Sequence, residues 1–205
     1  MPHADSALVP PGLSKVEFWA HVYEQLSALL DGQRNWVVNL ANASSLVYSS
    51  LLAFSPHFGD GDRAVNWCGF YIDSKFYPAP RLTTAAGGAD VPSPSHVLLL
   101  GPFCGKPACQ LINVAPERAR GVCAGAFVQQ KTQLVPDVEA YPGHIACDGE
   151  TKSEIVCPLV IRQDGKEDVV VGVFDLDCLA LGGFNEDDKA GVEKIADLVA
   201  QACDW

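Results

Sequence analysis

Apolar residues recur at helical spacing near both ends of the chain, and alternating patterns lie between them. Ser14 and Glu17 have the spacing of a capping box and open an apolar stripe that ends at Asp31-Gly32, which predicts a first helix. Residues 34–54 predict a second amphipathic helix, and Asn185 is placed to cap a final one. Two helices are therefore expected before any strand.

Strands are predicted in the middle of the chain, where short apolar runs are bounded by Gly, Pro and Asp. They cover residues 65–72, 96–100, a segment that begins at Cys109, 153–161 and 169–178, with a short helix over 121–130. The length of 205 residues suits one domain, expected over 13–205 after a flexible tail over 1–12. Residues 78–95, rich in Pro, Ala, Gly and Ser, are expected to form an inserted surface loop.

The first strand carries an aromatic face. Trp67, Gly69 and Tyr71 alternate along it and therefore point to one side. The glycine between the two rings is expected to leave a recess. Half-buried packing of Trp67 and Tyr71 explains the same pattern, so both interpretations stay open.

Three carboxyl groups are candidates for a site. Asp175 and Asp177 are predicted to share one strand face with Val171 and Val173. Because Asp is disfavoured in strands, a role facing a ligand gains weight over a solvated pair. Glu154 is expected at the mouth of the strand over 153–161.

Composition and charge exclude several partners. The formal net charge of -11 and the lack of a basic patch argue against nucleic acid and anionic membrane surfaces. Every apolar run is shorter than a membrane span, and no charged and then apolar leader opens the chain. We therefore expect a cytoplasmic protein.

The eight cysteines raise the choice between disulfides, metal and thiol chemistry. Structural disulfides are disfavoured without a secretory leader, and a structural zinc site is disfavoured because no close cysteine pairs are present. Four cysteines lie in apolar contexts that predict inert packing, namely Cys68, Cys157, Cys178 and Cys203. Cys123 falls in the first turn of the short helix, where a thiolate or a bound carboxylate is favoured, but packing explains it equally well.

Cys147 is the strongest candidate for chemistry. It lies on a short connection between the turn dipeptides Pro142-Gly143 and Asp148-Gly149. Loops held by a rigid scaffold often carry function. With Glu154 following shortly after, a thiol and a carboxyl group are expected to share one site.

An ordered set of motifs in this chain resembles the free methionine-(R)-sulfoxide reductases, which are stand-alone GAF-domain enzymes. The matching strings are Leu-Leu-Gly-Pro-Phe103, Gly105-Lys-Pro-Ala-Cys109, Gly121-Val-Cys123, Val135-Pro-Asp-Val138, Tyr141-Pro-Gly-His-Ile-Ala-Cys-Asp148, Lys152-Ser-Glu-Ile-Val156 and Val173-Phe-Asp-Leu-Asp177. The resemblance covers roughly residues 14–203. It implies an α+β, GAF-like fold, with a central antiparallel sheet of about six strands, the N- and C-terminal helices on one face and a ligand pocket on the other.

The resemblance also implies a thiol-dependent reaction. Cys147 is the expected nucleophile, and its sulfenic acid would condense with a second thiol to a disulfide. Cys109 is the first candidate for the resolving thiol, and Cys123 is either an alternative resolver or the initial nucleophile. The family further implies a thioredoxin-type reductant, and the chain carries no flavin, nicotinamide or metal motif, so no cofactor is expected.

Substrate contacts follow from the same reasoning. The cluster of Glu154, Asp175 and Asp177 is expected to hold the ammonium group of free methionine sulfoxide and to supply a proton to the sulfoxide oxygen. Trp67 and Tyr71 would hold the methyl-sulfur end. Backbone N–H groups near Gly121 to Cys123 are candidates for the carboxylate, and a pocket that binds both ends would exclude methionine within a polypeptide.

The chain departs from the family pattern in a few places. Ala124-Gly125 stands where the family commonly has Gly-Thr, Cys104 stands where glutamine is typical, and residues 78–95 and 113–120 form longer connections. A ligand-binding or sensory GAF domain without catalysis, and a peroxide-sensing thiol switch, remain as alternatives. A homodimer is left open.

Overall fold

One antiparallel sheet organises the molecule, with the strand order β3-β2-β1-β6-β5-β4. The strands are β1 (Val65–Asp73), β2 (Val97–Gly105), β3 (Leu111–Asn113), β4 (Gln133–Val135), β5 (Ser153–Ile161) and β6 (Val169–Cys178). This computed structural model describes residues 3–55, 57–78, 95–145, 147–163 and 165–205. The predicted α+β fold with a six-stranded antiparallel sheet is confirmed.

The helices begin where the sequence places their caps. They are α1 (Lys15–Leu30), α2 (Trp36–Ala53), α3 (Gly121–Gln129) and α4 (Glu186–Gln201), with short 3-10 helices at His3–Ala7, Ser74–Phe76 and Val138–Ala140. Ser14 and Glu17 form the predicted capping box of α1. Asn185 caps α4 by accepting hydrogen bonds from two backbone N–H groups of its first turn.

The two faces of the sheet carry different layers. Helices α2 and α4 pack against one face, and α1 packs on both of them. Cys68, Phe70 and Ile72 of β1 belong to the core on that face, whereas Trp67 and Tyr71 belong to a second cluster on the opposite face, beside α3. The predicted alternation of β1 is therefore confirmed, and the N- and C-terminal helices share one face as expected.

Strand β2 is longer than its sequence predicts. The predicted end at Leu100 is wrong, because β2 continues through Gly101 and Pro102 to Gly105. Strand β3 pairs only with residues 97–99, so the later part of β2 is an edge. Proline is tolerated there because β3 does not pair with it and because the pairing with β1 is irregular at this point, between Gly69 and Tyr71. Strand β3 itself begins at Leu111 and not at Cys109, and β4 was not predicted as a strand.

A local irregularity in β6 also places one side chain on the opposite face of the sheet from its prediction. Val171 does not share a face with Val173, since it belongs to the helix-side core. The register between β5 and β6 shifts between Leu159 and Val160, opposite this part of β6. A bulge of this kind breaks the period of two, which the sequence pattern cannot show.

Some predictions fall outside what the structure tests. Most of the predicted loop over 78–95 lies outside the described residues, and the flexible tail over 1–12 stays a prediction. Within the described ranges, no helix is long and apolar enough to cross a membrane.

Candidate active site

A cavity of about 280 Å³ lies on the face of the sheet away from α1, α2 and α4. This volume is just below the range of roughly 300–1,000 Å³ that is typical of small-molecule sites, which suits a ligand the size of one amino acid. All eight predicted site residues line it, namely Trp67, Tyr71, Cys109, Cys123, Cys147, Glu154, Asp175 and Asp177. The fold thus brings together residues that are up to 110 positions apart in the sequence.

Strand register explains the floor of the cavity. Asp177 on β6 lies directly opposite Trp67 on β1 and directly opposite Glu154 on β5. Asp175, two residues earlier on β6, faces the same side and lies opposite Gly69. The three carboxyl groups therefore form a compact cluster, which we call the acidic floor.

Burial of the acidic floor favours its protonated form. Glu154 is 6% exposed and Asp175 is 5% exposed. Burial raises the pKa of Asp175 to about 7. Burial, followed by the charge of Asp175, raises the pKa values of Glu154 and Asp177 well above their ordinary values. The site therefore holds carboxylic acids able to donate a proton near neutral pH.

Cys123, in the first turn of α3, lies against the acidic floor. Its thiol donates a hydrogen bond to Asp175 Oδ2 at 3.2 Å and lies 3.9 Å from Glu154 Oε1. Burial first, and the charge of Asp175 second, raise the pKa of Cys123 well above its ordinary value. These effects outweigh the helix N-terminus, which on its own favours a thiolate. Cys123 is a hydrogen-bond donor in this arrangement.

Cys109 and Cys147 meet at another part of the cavity wall. The Cys147 thiol is close enough to Cys109 for that residue to influence its pKa. Although Cys147 as a residue is exposed, it lines the cavity, and burial raises the pKa of its thiol to about 12. Tyr71 donates from its hydroxyl to the Cys109 carbonyl at 3.0 Å, which ties Cys109 to β1. All eight cysteines are free thiols in this structure.

An ion-pair network fastens the segment that carries Cys147. Asp148 accepts hydrogen bonds from the Glu150 backbone N–H at 3.1 Å and from Asn66 Nδ2 at 3.2 Å. Lys106, from the segment that leads to Cys109, contacts both Asp148 and Glu150. The backbone hydrogen bond and Lys106 lower the pKa of Asp148, which keeps it charged. The two cysteine-bearing segments are thus connected directly.

The aromatic wall differs from its prediction at Gly69. Trp67 stacks between Tyr71 and Phe103, with ring centroids 5.8 and 5.5 Å away. A Cβ atom at Gly69 would lie 2.6 Å from the Trp67 ring and 2.3 Å from Phe103 Cβ. The predicted recess at Gly69 is therefore wrong, because the Trp67 ring and Phe103 fill it. The glycine is needed so that the indole can lie flat over β1.

Sequence reasoning missed several residues of the cavity. Arg118 and Arg120 line it from the segment before α3, and His144 lines it beside the acidic floor. His144 Nδ1 lies 3.9 Å from Glu154 Oε2, and burial lowers the pKa of this histidine. His144 belongs to a motif string quoted above, and the two arginines precede a predicted helix start. Composition gave no reason to separate the arginines from surface charges.

The sheet has six antiparallel strands, with α1, α2 and α4 on one face and a small cavity beside α3 on the other. This is the arrangement of a GAF domain, and the GAF domain family matches residues 24–203. Comparison with individual proteins shows which GAF-domain proteins this chain is similar to. The chain is 41% identical over 201 residues to the free methionine-R-sulfoxide reductase of Saccharomyces cerevisiae, covering 98% of this chain and 94% of the relative. It is 33% identical to the enzyme of the same name from Escherichia coli, covering 92% and 88%.

A solved structure supports the same assignment. The free methionine-R-sulfoxide reductase of Neisseria meningitidis, in complex with its substrate, superposes with a TM-score of 0.71 at 30% identity, covering 95% of this chain and 93% of that one. The chain belongs to the free methionine-R-sulfoxide reductase family of oxidoreductases. The expected family and fold are confirmed, and the roles of individual site residues stay predictions.

Proposed function

We propose that this protein reduces free L-methionine-(R)-sulfoxide to methionine, with Cys147 as nucleophile and Cys109 as resolving thiol. One observation carries the proposal: Cys147 and Cys109 line one cavity together with three carboxyl groups whose pKa values burial raises. Reduction of a sulfoxide requires a thiol to attack sulfur and an acid to protonate oxygen. Family membership supports the reductase class.

The first step transfers oxygen from substrate sulfur to Cys147. The Cys147 sulfur forms a bond to the sulfoxide sulfur as the sulfoxide oxygen accepts a proton. The oxygen then passes to the Cys147 sulfur, while its bond to the substrate sulfur and the transient sulfur–sulfur bond break, which gives methionine and a Cys147 sulfenic acid. The substrate sulfur is reduced by two electrons, and Cys147 is oxidised by two. The protons balance, because the carboxyl group that protonates the sulfoxide oxygen is protonated again by the proton that the Cys147 thiol loses. The high pKa of resting Cys147 means that its proton leaves only as the attack proceeds.

The acidic floor supplies the proton donor. Glu154 and Asp177 are the better acids to hold a proton at neutral pH, because burial and the neighbouring charge of Asp175 both favour their neutral forms. Asp175, with its lower pKa, is the better partner for the substrate ammonium. General acid catalysis of this kind contributes roughly 10²- to 10⁴-fold to the rate.

The second step closes a disulfide. Cys109 attacks the Cys147 sulfenic acid, a sulfur–sulfur bond forms, and water leaves. The proximity of Cys109 to Cys147 favours Cys109 over Cys123, whose thiol donates a hydrogen bond to Asp175. A thioredoxin-type dithiol then returns the pair to the reduced state by exchange, since its two electrons replace those given to the substrate.

Charges of opposite sign around the cavity suit a free amino acid. The acidic floor provides a partner for an ammonium group. Arg118, Arg120 and the first turn of α3 are candidates for a carboxylate, and no side chain caps the first turn of α3. A methionine sulfoxide inside a polypeptide lacks both charged ends. We therefore propose specificity for the free amino acid.

The test is a coupled assay in which thioredoxin and its reductase consume NADPH. Each methionine sulfoxide diastereomer is offered free and within a peptide. We expect turnover of the free R form alone, loss of activity in Cys147→Ser, and little change in Cys104→Ser, a matched control because Cys104 lies outside the cavity and pairs in register with Cys68 on the helix side. Ligand binding without turnover of either diastereomer would instead support a sensory domain.

A further inference from the structure

We propose that the acidic floor is also a binding site for a thiophilic divalent cation such as Zn²⁺, held by Cys123, Glu154 and Asp175. The bound cation would block the substrate site reversibly. This regulatory consequence rests on the proposed function, whereas the binding site itself does not.

Ligand geometry is the first observation. One ligand atom from each of these residues lies within 4.8 Å of the other two. The Cys123 sulfur is 3.2 Å from Asp175 Oδ2 and 3.9 Å from Glu154 Oε1. With Zn–S near 2.3 Å and Zn–O near 2.0–2.2 Å, tetrahedral coordination separates a sulfur and an oxygen ligand by about 3.5 Å. The measured distances lie on either side of this value, so small side-chain rotations suffice to bind the ion.

Unpaired polar atoms are the second, independent observation. Asp175 is 5% exposed, and its Oδ1 atom has no hydrogen-bond partner. In the described part of the chain no lysine or arginine forms an ion pair with Glu154, Asp175 or Asp177. Buried carboxyl groups that are ionised normally have a cationic partner or a metal ion, and without one they take up a proton. A bound cation would therefore replace protons of this cluster. A divalent cation would supply the positive charge that this cluster lacks.

The number of protein ligands indicates an open site. Cys123 comes from α3, Glu154 from β5 and Asp175 from β6, and the fourth position faces the cavity. Three protein ligands with an open fourth position are typical of zinc sites that bind an exogenous ligand, whereas structural sites are closed by four. The spacing of these residues along the sequence does not indicate a metal site, because the three ligands come from separate elements.

Cation binding and substrate binding would exclude each other. The substrate ammonium is proposed to use Asp175, and the cation uses the same carboxylate. The cation also fixes the Cys123 thiolate on the metal. We therefore expect Zn²⁺ to raise the concentration of free methionine sulfoxide that gives half of the maximal single-turnover rate, and to leave that maximal rate nearly unchanged.

The direct test is a titration of reduced, metal-free protein with Cd²⁺, followed through its sulfur-to-metal charge-transfer absorption, with Zn²⁺ as competitor. The rival site is the thiol pair, so the key protein is the double variant Cys109→Ser, Cys147→Ser. We expect this variant to bind one equivalent with the thiolate band intact, and Cys123→Ser to lose the band. Asp175→Asn, which keeps the side-chain shape, should weaken binding at least tenfold.

Two results would overturn the site. One is a thiolate band that persists in Cys123→Ser and vanishes in the double variant, and the other is unchanged affinity in Asp175→Asn. Inhibition is measured separately, as single-turnover formation of methionine by wild-type protein without external thiols, which would chelate the metal. Absence of methionine there would count against the reductase proposal and would leave the cation titration standing.

Discussion

Replacing Asp175 with asparagine should stabilise the protein at neutral and alkaline pH while impairing its activity. The folded protein raises the pKa of Asp175 from 3.8 to about 7, chiefly by burial. A raised folded pKa means that the folded state binds the proton more tightly than the unfolded state. The stabilisation from this group is therefore complete below about pH 4 and is lost as pH rises through about 7.

The magnitude follows from the size of the shift. One pH unit of pKa change corresponds to about 1.4 kcal/mol, so ionised Asp175 costs on the order of 4 kcal/mol at pH 8. Asparagine keeps the shape and still offers an oxygen to the Cys123 thiol, but it cannot ionise. It also removes the charge that raises the pKa values of Glu154 and Asp177. We expect the variant to gain a few kcal/mol at pH 8 and almost nothing at pH 4.

The assay is urea unfolding at several pH values between 4 and 8 in the presence of a thiol reductant. Asp62→Asn, at an exposed position before β1, is the matched control and should follow wild type. The reasoning would be refuted if Asp175→Asn were no more stable than wild type at pH 8, or if the difference between them did not change with pH. Activity towards the free R sulfoxide should fall in the same variant.

Two further changes test the walls of the cavity. Gly69→Ala should destabilise the fold by about 1–3 kcal/mol in urea unfolding, because the new methyl group would lie 2.3 Å from Phe103 Cβ, whereas Gly61→Ala, with open space around it, should be near neutral. Equal stability of the two variants would contradict this packing. Lys106→Gln should slow disulfide formation after a single turnover by at most about fivefold, since the ion pair of this exposed lysine with Asp148 is screened by water and contributes little. Added salt should slow wild type similarly, and a salt-independent rate would argue against the ion pair.

Regular elements were predictable because local signals specify them. The capping box at Ser14 and Glu17 and the cap at Asn185 fix where helices begin, and neither depends on the rest of the fold. The alternation in β1 assigned Trp67 and Tyr71 to one face correctly. These signals act over a few residues, so they can be recognised in the sequence without knowledge of the fold.

The irregular parts depend on contacts between distant segments. Pro102 fits within β2 because β3 ends before it and because the register with β1 shifts opposite it. Val171 changes face because of a register shift opposite Leu159. The recess predicted at Gly69 is filled by Phe103 from the adjacent strand. Pairing partners and their lengths are not encoded in any one segment.

The candidate site was likewise predictable only in part: its residues could be identified from the sequence, but their contacts could not. Motif strings singled out Cys109, Cys123 and Cys147, but their grouping depends on the fold. Only the structure shows that Cys147 lies near Cys109 while Cys123 contacts Asp175. The three cysteines thus lie in two distinct environments, which supports the different roles that the resemblance implied for Cys147 and Cys109.

The most direct measurement is peptide mapping by mass spectrometry after a single turnover. Reduced protein is mixed with one equivalent of free L-methionine-(R)-sulfoxide, without external reductant, and then alkylated and digested. We predict one methionine released per chain together with a disulfide between Cys109 and Cys147, and Cys123 recovered as the alkylated thiol. Methionine release with Cys147 alkylated, or a disulfide that leaves out Cys147, would contradict the proposed mechanism.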